Sequence, residues 1–100
     1  MLTKEMILKT LQEQHTYLTT EYGVERIGLF GSYARGTTDE ASDIDLVVEF
    51  QRPIGFKFIE LVEYLEKLLG KEVDLLTPAG IQSIRVGNTA RNIVESIVYV

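Results

Sequence analysis

The order of elements readable in the 100 residues predicts a single α/β (α+β) domain, spanning 1–100, in which helices cover a small sheet. Two observations carry that expectation. Helical and strand-like apolar periods alternate along the chain, and glycine or proline punctuates most junctions. The apolar fraction of 45% suffices for one core, and 25% charged residues is ordinary for a globular chain.

Residues 3–22 are predicted as a helix, with Thr3 as N-cap, Ile7, Leu8, Leu11, Leu18 and Tyr22 at helical spacing, and Gly23 as its end. Residues 24–30, VERIGLF, read as a strand through Val24, Ile27, Leu29 and Phe30. Residues 43–50, DIDLVVEF, read as a second strand rich in β-branched residues. Pro53 and Gly55 break the chain. Residues 56–70 follow as an amphipathic helix whose expected core stripe is Phe58, Val62, Leu65 and Leu69, with Gly70 as C-cap. Residues 72–77 form a third strand, and Pro78 and Gly80 open a turn. Residues 88–95 read as helical, and the closing IVYV as a short final strand.

The net charge of −5 is unevenly placed. Residues 1–50 hold nine acids and four bases, whereas residues 51–100 hold six of each. No cluster of Lys or Arg offers a basic face for a polynucleotide backbone, so no long nucleic acid is expected as partner. A small nucleotide neutralised by a metal stays compatible with the acidic half. Cysteine is absent, which excludes disulfides and thiolate metal sites. No apolar run approaches the length of a membrane span, and the N-terminal residues lack a signal-peptide pattern. The expected location is the cytoplasm, with no membrane association.

Asp43 and Asp45 open the second strand one residue apart. Strand alternation points both to one face, with Cα atoms about 7 Å apart at ~3.3 Å per residue. Ile44, Leu46, Val48 and Phe50 take the other face, which reads as the core face. Two carboxylates at this spacing repel unless a cation lies between them, and Mg2+ suits clustered carboxylates together with phosphate oxygens. Asp74 is an isolated acid in the apolar run VDLL. On a neighbouring strand it would join the pair and complete a two-metal carboxylate set. Each signal also has a plain structural reading: a solvated strand start for Asp43 and Asp45, and an edge acid paired with a lysine such as Lys71 for Asp74.

The turn FGSYARG adds a third signal. Gly31 lets backbone approach a ligand, Ser32 offers a hydroxyl, and the amides of a helix start favour phosphate. Arg35, about one turn on, could reach a phosphate or brace an acid, and Gly36 could end the turn. The pattern is neither a Walker loop nor GxGxxG.

Taken together, GSYARGTTDEASDIDLVV and the lone acid of EVDLLT resemble the signature of the minimal nucleotidyltransferases (MNT), the small branch of the DNA polymerase β nucleotidyltransferase superfamily. The resemblance implies a mixed sheet with helices on one side. It implies that Gly31 and Ser32 bind the triphosphate of ATP, with Arg35 as a further phosphate or structural contact. It implies that Asp43, Asp45 and Asp74 are catalytic and hold two Mg2+ ions, Asp74 lying nearer the acceptor. Small proteins of this kind are paired with a HEPN-domain partner, an RNase toxin, and act as its antitoxin by moving AMP from ATP onto a toxin tyrosine. Masking of the toxin by binding alone, or transfer to a small molecule, are the alternatives. Outside this set, His15 reads as a boundary residue of the first helix, Phe56, Phe58 and Tyr64 as core or partner-facing, Tyr99 as packing, and residues 64–72 as a solvated face plus a cap.

Overall fold

The computed structural model describes residues 2–36, 43–82 and 97–100. The elements are α1 (Lys4–Glu13), α2 (His15–Tyr22), β1 (Val24–Phe30), α3 (Gly31–Arg35), β2 (Ile44–Phe50), α4 (Lys57–Leu69), β3 (Val73–Leu76), α5 (Pro78–Gln82) and β4 (Val98–Tyr99). They build a mixed α+β domain around a four-stranded sheet of order β3-β2-β1-β4. β1 runs antiparallel to both β2 and β4, whereas β3 lies parallel to β2. The parallel pair needs a crossover, and α4 supplies it.

The expected first helix is two. Thr3 does cap it, its Oγ1 accepting from the Met6 amide at 3.2 Å. At Gln14 the backbone leaves helical geometry, with φ −95° and ψ 4°, and His15 starts α2. His15 and Thr16 are weak helix formers, and the Gln14 side chain has another use: Tyr64 Oη donates to its Oε1 at 2.9 Å. That bond ties the break to α4. Glycines at left-handed φ close α2 (Gly23, 68°), α3 (Gly36, 73°) and α4 (Gly70, 74°).

Strand alternation divides the side chains. Ile27 and Leu29 of β1, Ile44, Leu46 and Val48 of β2, and Val73 and Leu75 of β3 face the main core with Ile7, Leu11, Leu18, Leu61, Leu65 and Leu69 from the helices. In α4 the deepest stripe is Leu61, Leu65 and Leu69, so Leu61 joins the stripe expected from sequence, while Phe58 and Val62 lie half-buried at its margin. Tyr17, Tyr22 and Tyr64 stack beside it, with ring centroids 5.0 to 6.2 Å apart, joining α2 to α4.

On the opposite sheet face Phe30, Val47 and Ile81 form a second, smaller cluster. The turn expected at Pro78 is the helix α5, which brings Ile81 to this cluster. Thr77 Oγ1 accepts from the Gly80 amide at 3.1 Å and secures its start. The short last strand is present, and Val100 donates to the Ile27 carbonyl at 3.0 Å. Residues 88–95, expected to be helical, lie outside the described residues. Among the described residues no helix is long and apolar enough to cross a membrane.

Candidate active site

The site is assembled where β1 ends and β2 and β3 begin. In the ladders Phe30 is opposite Asp45, and Asp45 is opposite Asp74. Asp45 and Asp74 therefore share the sheet face opposite α1, α2 and α4. Asp43 precedes β2 by one residue and is exposed, as is Asp74; Asp45 is half-buried.

The chain passes from β1 into α3 through Gly31, at φ +74°. A Cβ there would overlap Oδ2 of Asp45 and lie 2.9 Å from its Cγ. Only glycine meets both demands, the left-handed backbone and the close approach. Among the described residues no side chain caps the start of α3, whereas Thr3 caps α1. The first amides of α3 therefore have no intrahelical acceptor and no side-chain cap. Ser32 lies half-buried in that first turn, and Arg35 lies exposed in its last position. Tyr33 anchors α3 by inserting into the main core.

The Asp45 carboxyl is pushed up to about 6. Partial burial is the main cause, followed by the Asp74 charge, a hydrogen bond with the Asp74 side chain, and the Asp43 charge; the Arg35 guanidinium pulls the other way. Asp45 and Asp74 thus face one another as like-charged neighbours across the β2–β3 ladder, with Asp43 and Arg35 close enough to bias Asp45. The structure brings Gly31, Asp45 and Asp74 into one cluster and sets Asp43 and Arg35 at its margin. Ser32 is adjacent along α3.

The donor chemistry suits a hard divalent cation, because the oxygens are carboxylates that repel one another without one. They are not gathered into a ready cage: among the described residues no three Asp, Glu, His or Cys side chains are grouped tightly enough to hold an ion. Asp45 and Asp74, with Asp43 beside them, would be the residues to hold such a cation, which would neutralise their charge.

Two clefts lie elsewhere. One of about 450 Å³ is lined by Glu25, Phe50, Arg52 and Pro53 among others; one of about 140 Å³ is lined by Arg26, Glu49, Ile81 and Tyr99 among others. None of the expected site residues lines either. Arg26 there pairs with Glu49 and stacks over the Tyr99 ring at 3.7 Å, which gives Tyr99 its packing role.

The mixed four-stranded sheet of order β3-β2-β1-β4 with its helices is the fold of a minimal nucleotidyltransferase. The chain belongs to the nucleotidyltransferase domain family, whose model matches residues 6–100. It is 44% identical over 101 aligned residues to the protein adenylyltransferase MntA of Thermococcus cleftensis, an alignment covering 100% of this chain and 98% of that protein. A solved structure described as a minimal nucleotidyltransferase superposes with a TM-score of 0.73 at 28% identity, covering 97% of this chain and 95% of that one. A toxin–antitoxin crystal structure with AMP-PNP superposes with a TM-score of 0.62 at 26% identity, covering 98% of this chain and 72% of that one.

The sequence reading missed Glu66. It assigned residues 64–72 to a solvated face, but Glu66 Oε2 accepts from the Val73 amide at 3.1 Å. Nothing in local spacing distinguishes it from Glu63, since the bond is made to backbone beyond the Gly70 turn.

Proposed function

We propose that this nucleotidyltransferase moves AMP from ATP, with Mg2+, onto a tyrosine hydroxyl of a HEPN-domain RNase toxin, and so serves as the antitoxin of that pair. The observation that carries this reading is the Asp45–Asp74 pair held against Gly31, directly beside the uncapped start of α3. Its similarity to a protein adenylyltransferase MntA and to a toxin–antitoxin structure with AMP-PNP supports the acceptor and nucleotide classes.

In this reading the α3 amides and Ser32 bind the triphosphate, Gly31 keeps the backbone close to it, and Arg35 adds a positive charge at its margin. Asp43, Asp45 and Asp74 hold Mg2+, two ions in the full set, and the metal supplies neutralisation of phosphate charge. Asp74, on the edge strand, faces the acceptor and takes the hydroxyl proton. The tyrosine oxygen bonds to the α-phosphorus, the bond from that phosphorus to the bridging oxygen breaks, and pyrophosphate departs.

The test incubates the purified protein with α-labelled ATP, Mg2+ and the purified product of the adjacent gene. Label on the partner, lost with Asp43→Ala plus Asp45→Ala, is the expected result. An unlabelled partner with the intact protein overturns the reading.

Masking by binding alone has one observation in its favour. At the start of α4 Phe56 is 92% exposed and Ile59 59% exposed, apolar area that is available for a partner. That reading expects the double alanine variant to protect cells as well as the parent does.

A further inference from the structure

β3 is an edge strand of four residues, and the residue on it that matters most is set against a like charge. Asp74 is in register with Asp45, and two carboxylates at one ladder position drive an edge strand away from its neighbour. Pairing on one side only gives β3 little to resist that push. Glu66 acts from the other side. The Ile44 amide donates to the Glu72 carbonyl at 3.0 Å, so residues 72 and 74 turn their backbone groups toward β2, and the amide of Val73 points outward. That outward amide donates to Glu66 Oε2 at 3.1 Å. The backbone carbonyl of the same residue accepts from the Gly70 amide at 2.8 Å, closing the left-handed turn that leads into β3. Glu66 therefore holds both ends of the link between α4 and β3, and it sits in the last turns of a 13-residue helix anchored in the core by Leu61, Leu65 and Leu69.

We propose that Glu66 is a positioning residue: by holding the Val73 amide it keeps Asp74 opposite Asp45 in the geometry that transfer requires. This rests on the reading of Asp74 as the acceptor-side acid. A charge-assisted bond to an edge amide is among the stronger side-chain to backbone contacts, and a glutamine in its place keeps an acceptor oxygen at the same reach.

The experiment compares the parent, Glu66→Ala and Glu66→Gln in two ways. Amide exchange by NMR reads Val73 directly. Steady-state transfer of AMP to the purified partner reads kcat and the KM for ATP separately. Exchange at Val73 should be slow in the parent and in Glu66→Gln, and fast in Glu66→Ala. The alanine variant should lose about tenfold in kcat, since displacements of an ångström or less at the reacting groups cost that much or more. Its KM for ATP should stay within about twofold, because in the proposed function the phosphate contacts lie on α3. Glutamine should restore kcat. An unchanged kcat with fast Val73 exchange, a loss that glutamine does not rescue, or a rise in KM alone would each overturn the proposal. If the parent transfers no AMP, the proposed function fails by itself. The positioning role is then judged by whether the Val73 and Asp74 amide resonances of Glu66→Ala depart from the parent, and unmoved resonances reject it. Should the alanine variant not fold, Glu66→Asp, which withdraws the carboxylate by one methylene, replaces it.

Discussion

Gly31 and Asp45 make one contact between them, and each is constrained by it. Replacing Gly31 with alanine forces a side chain into the left-handed region, at about 1–2 kcal/mol, and drives a methyl into the Asp45 carboxyl. Gly31→Ala should therefore lower the melting temperature modestly and cut transfer about 100-fold or more. A kinetic assay beside a thermal melt separates the two effects, and an alanine variant with full activity would refute the account of the turn. Asp45 gives a pH signature. Its folded value of about 6 lies above the ordinary aspartate value of about 3.9, so the folded chain holds that proton more tightly than the unfolded chain. The stabilising contribution is complete below about pH 4 and is lost as pH rises through about 6. In metal-free buffer at pH 7.5, Asp45→Asn should melt above the parent while being inactive, and the gap should close as the pH falls toward 4. A gap that widens in acid would contradict the assignment.

At the scale of elements, what the sequence disclosed depended on how local the determinant was. Gly23, Gly36 and Gly70 marked their helix ends because a left-handed cap is set by one residue. The strands of residues 24–30 and 43–50 were legible from alternation. The strand expected from 43 begins at Ile44, so of Asp43 and Asp45 only Asp45 lies within β2. The break at Gln14 was hidden because Ile7, Leu11 and Leu18 keep one apolar spacing across it, and what rewards the break is Tyr64, fifty residues away. α5 was hidden by Gly80, although Thr77 and Pro78 are a cap and a first-turn proline. Glu66 was illegible for the same reason as Gln14: its partner is fixed only when β3 docks. Leu61 shows the cost of reading a stripe by spacing alone, since the sheet, not the helix, decides which flank is deepest. Leu61→Ala should destabilise the fold by about 2–5 kcal/mol, whereas Tyr64→Phe, which removes the bond to Gln14, should cost about 1 kcal/mol. Denaturant melts of the two variants check the ranking, and equal losses would contradict it.

For the whole molecule, the architecture separates two jobs. Helices α1, α2 and α4 cover one face of the sheet and make the larger core, and the carboxylates rise from the other face beside a much smaller cluster. Asp45 lies on the sheet face away from α1, α2 and α4, where burial and the neighbouring Asp74 and Asp43 carboxylates raise its affinity for a proton.

Along β2, then, neighbouring residues answer to different masters. Ile44, Leu46 and Val48 are wholly buried in the helix-side core, whereas Asp45 turns to the other face, opposite Asp74 in the ladder. A saturation scan of residues 43–48 that scores abundance and transfer separately should separate two groups: losses of abundance at 44, 46 and 48, and loss of transfer without loss of abundance at 43 and 45. Val47, buried in the smaller cluster, should behave like the first group. A chain built this way can lose its catalysis in one mutational step and keep its shape, so folded descendants without activity lie a single substitution away.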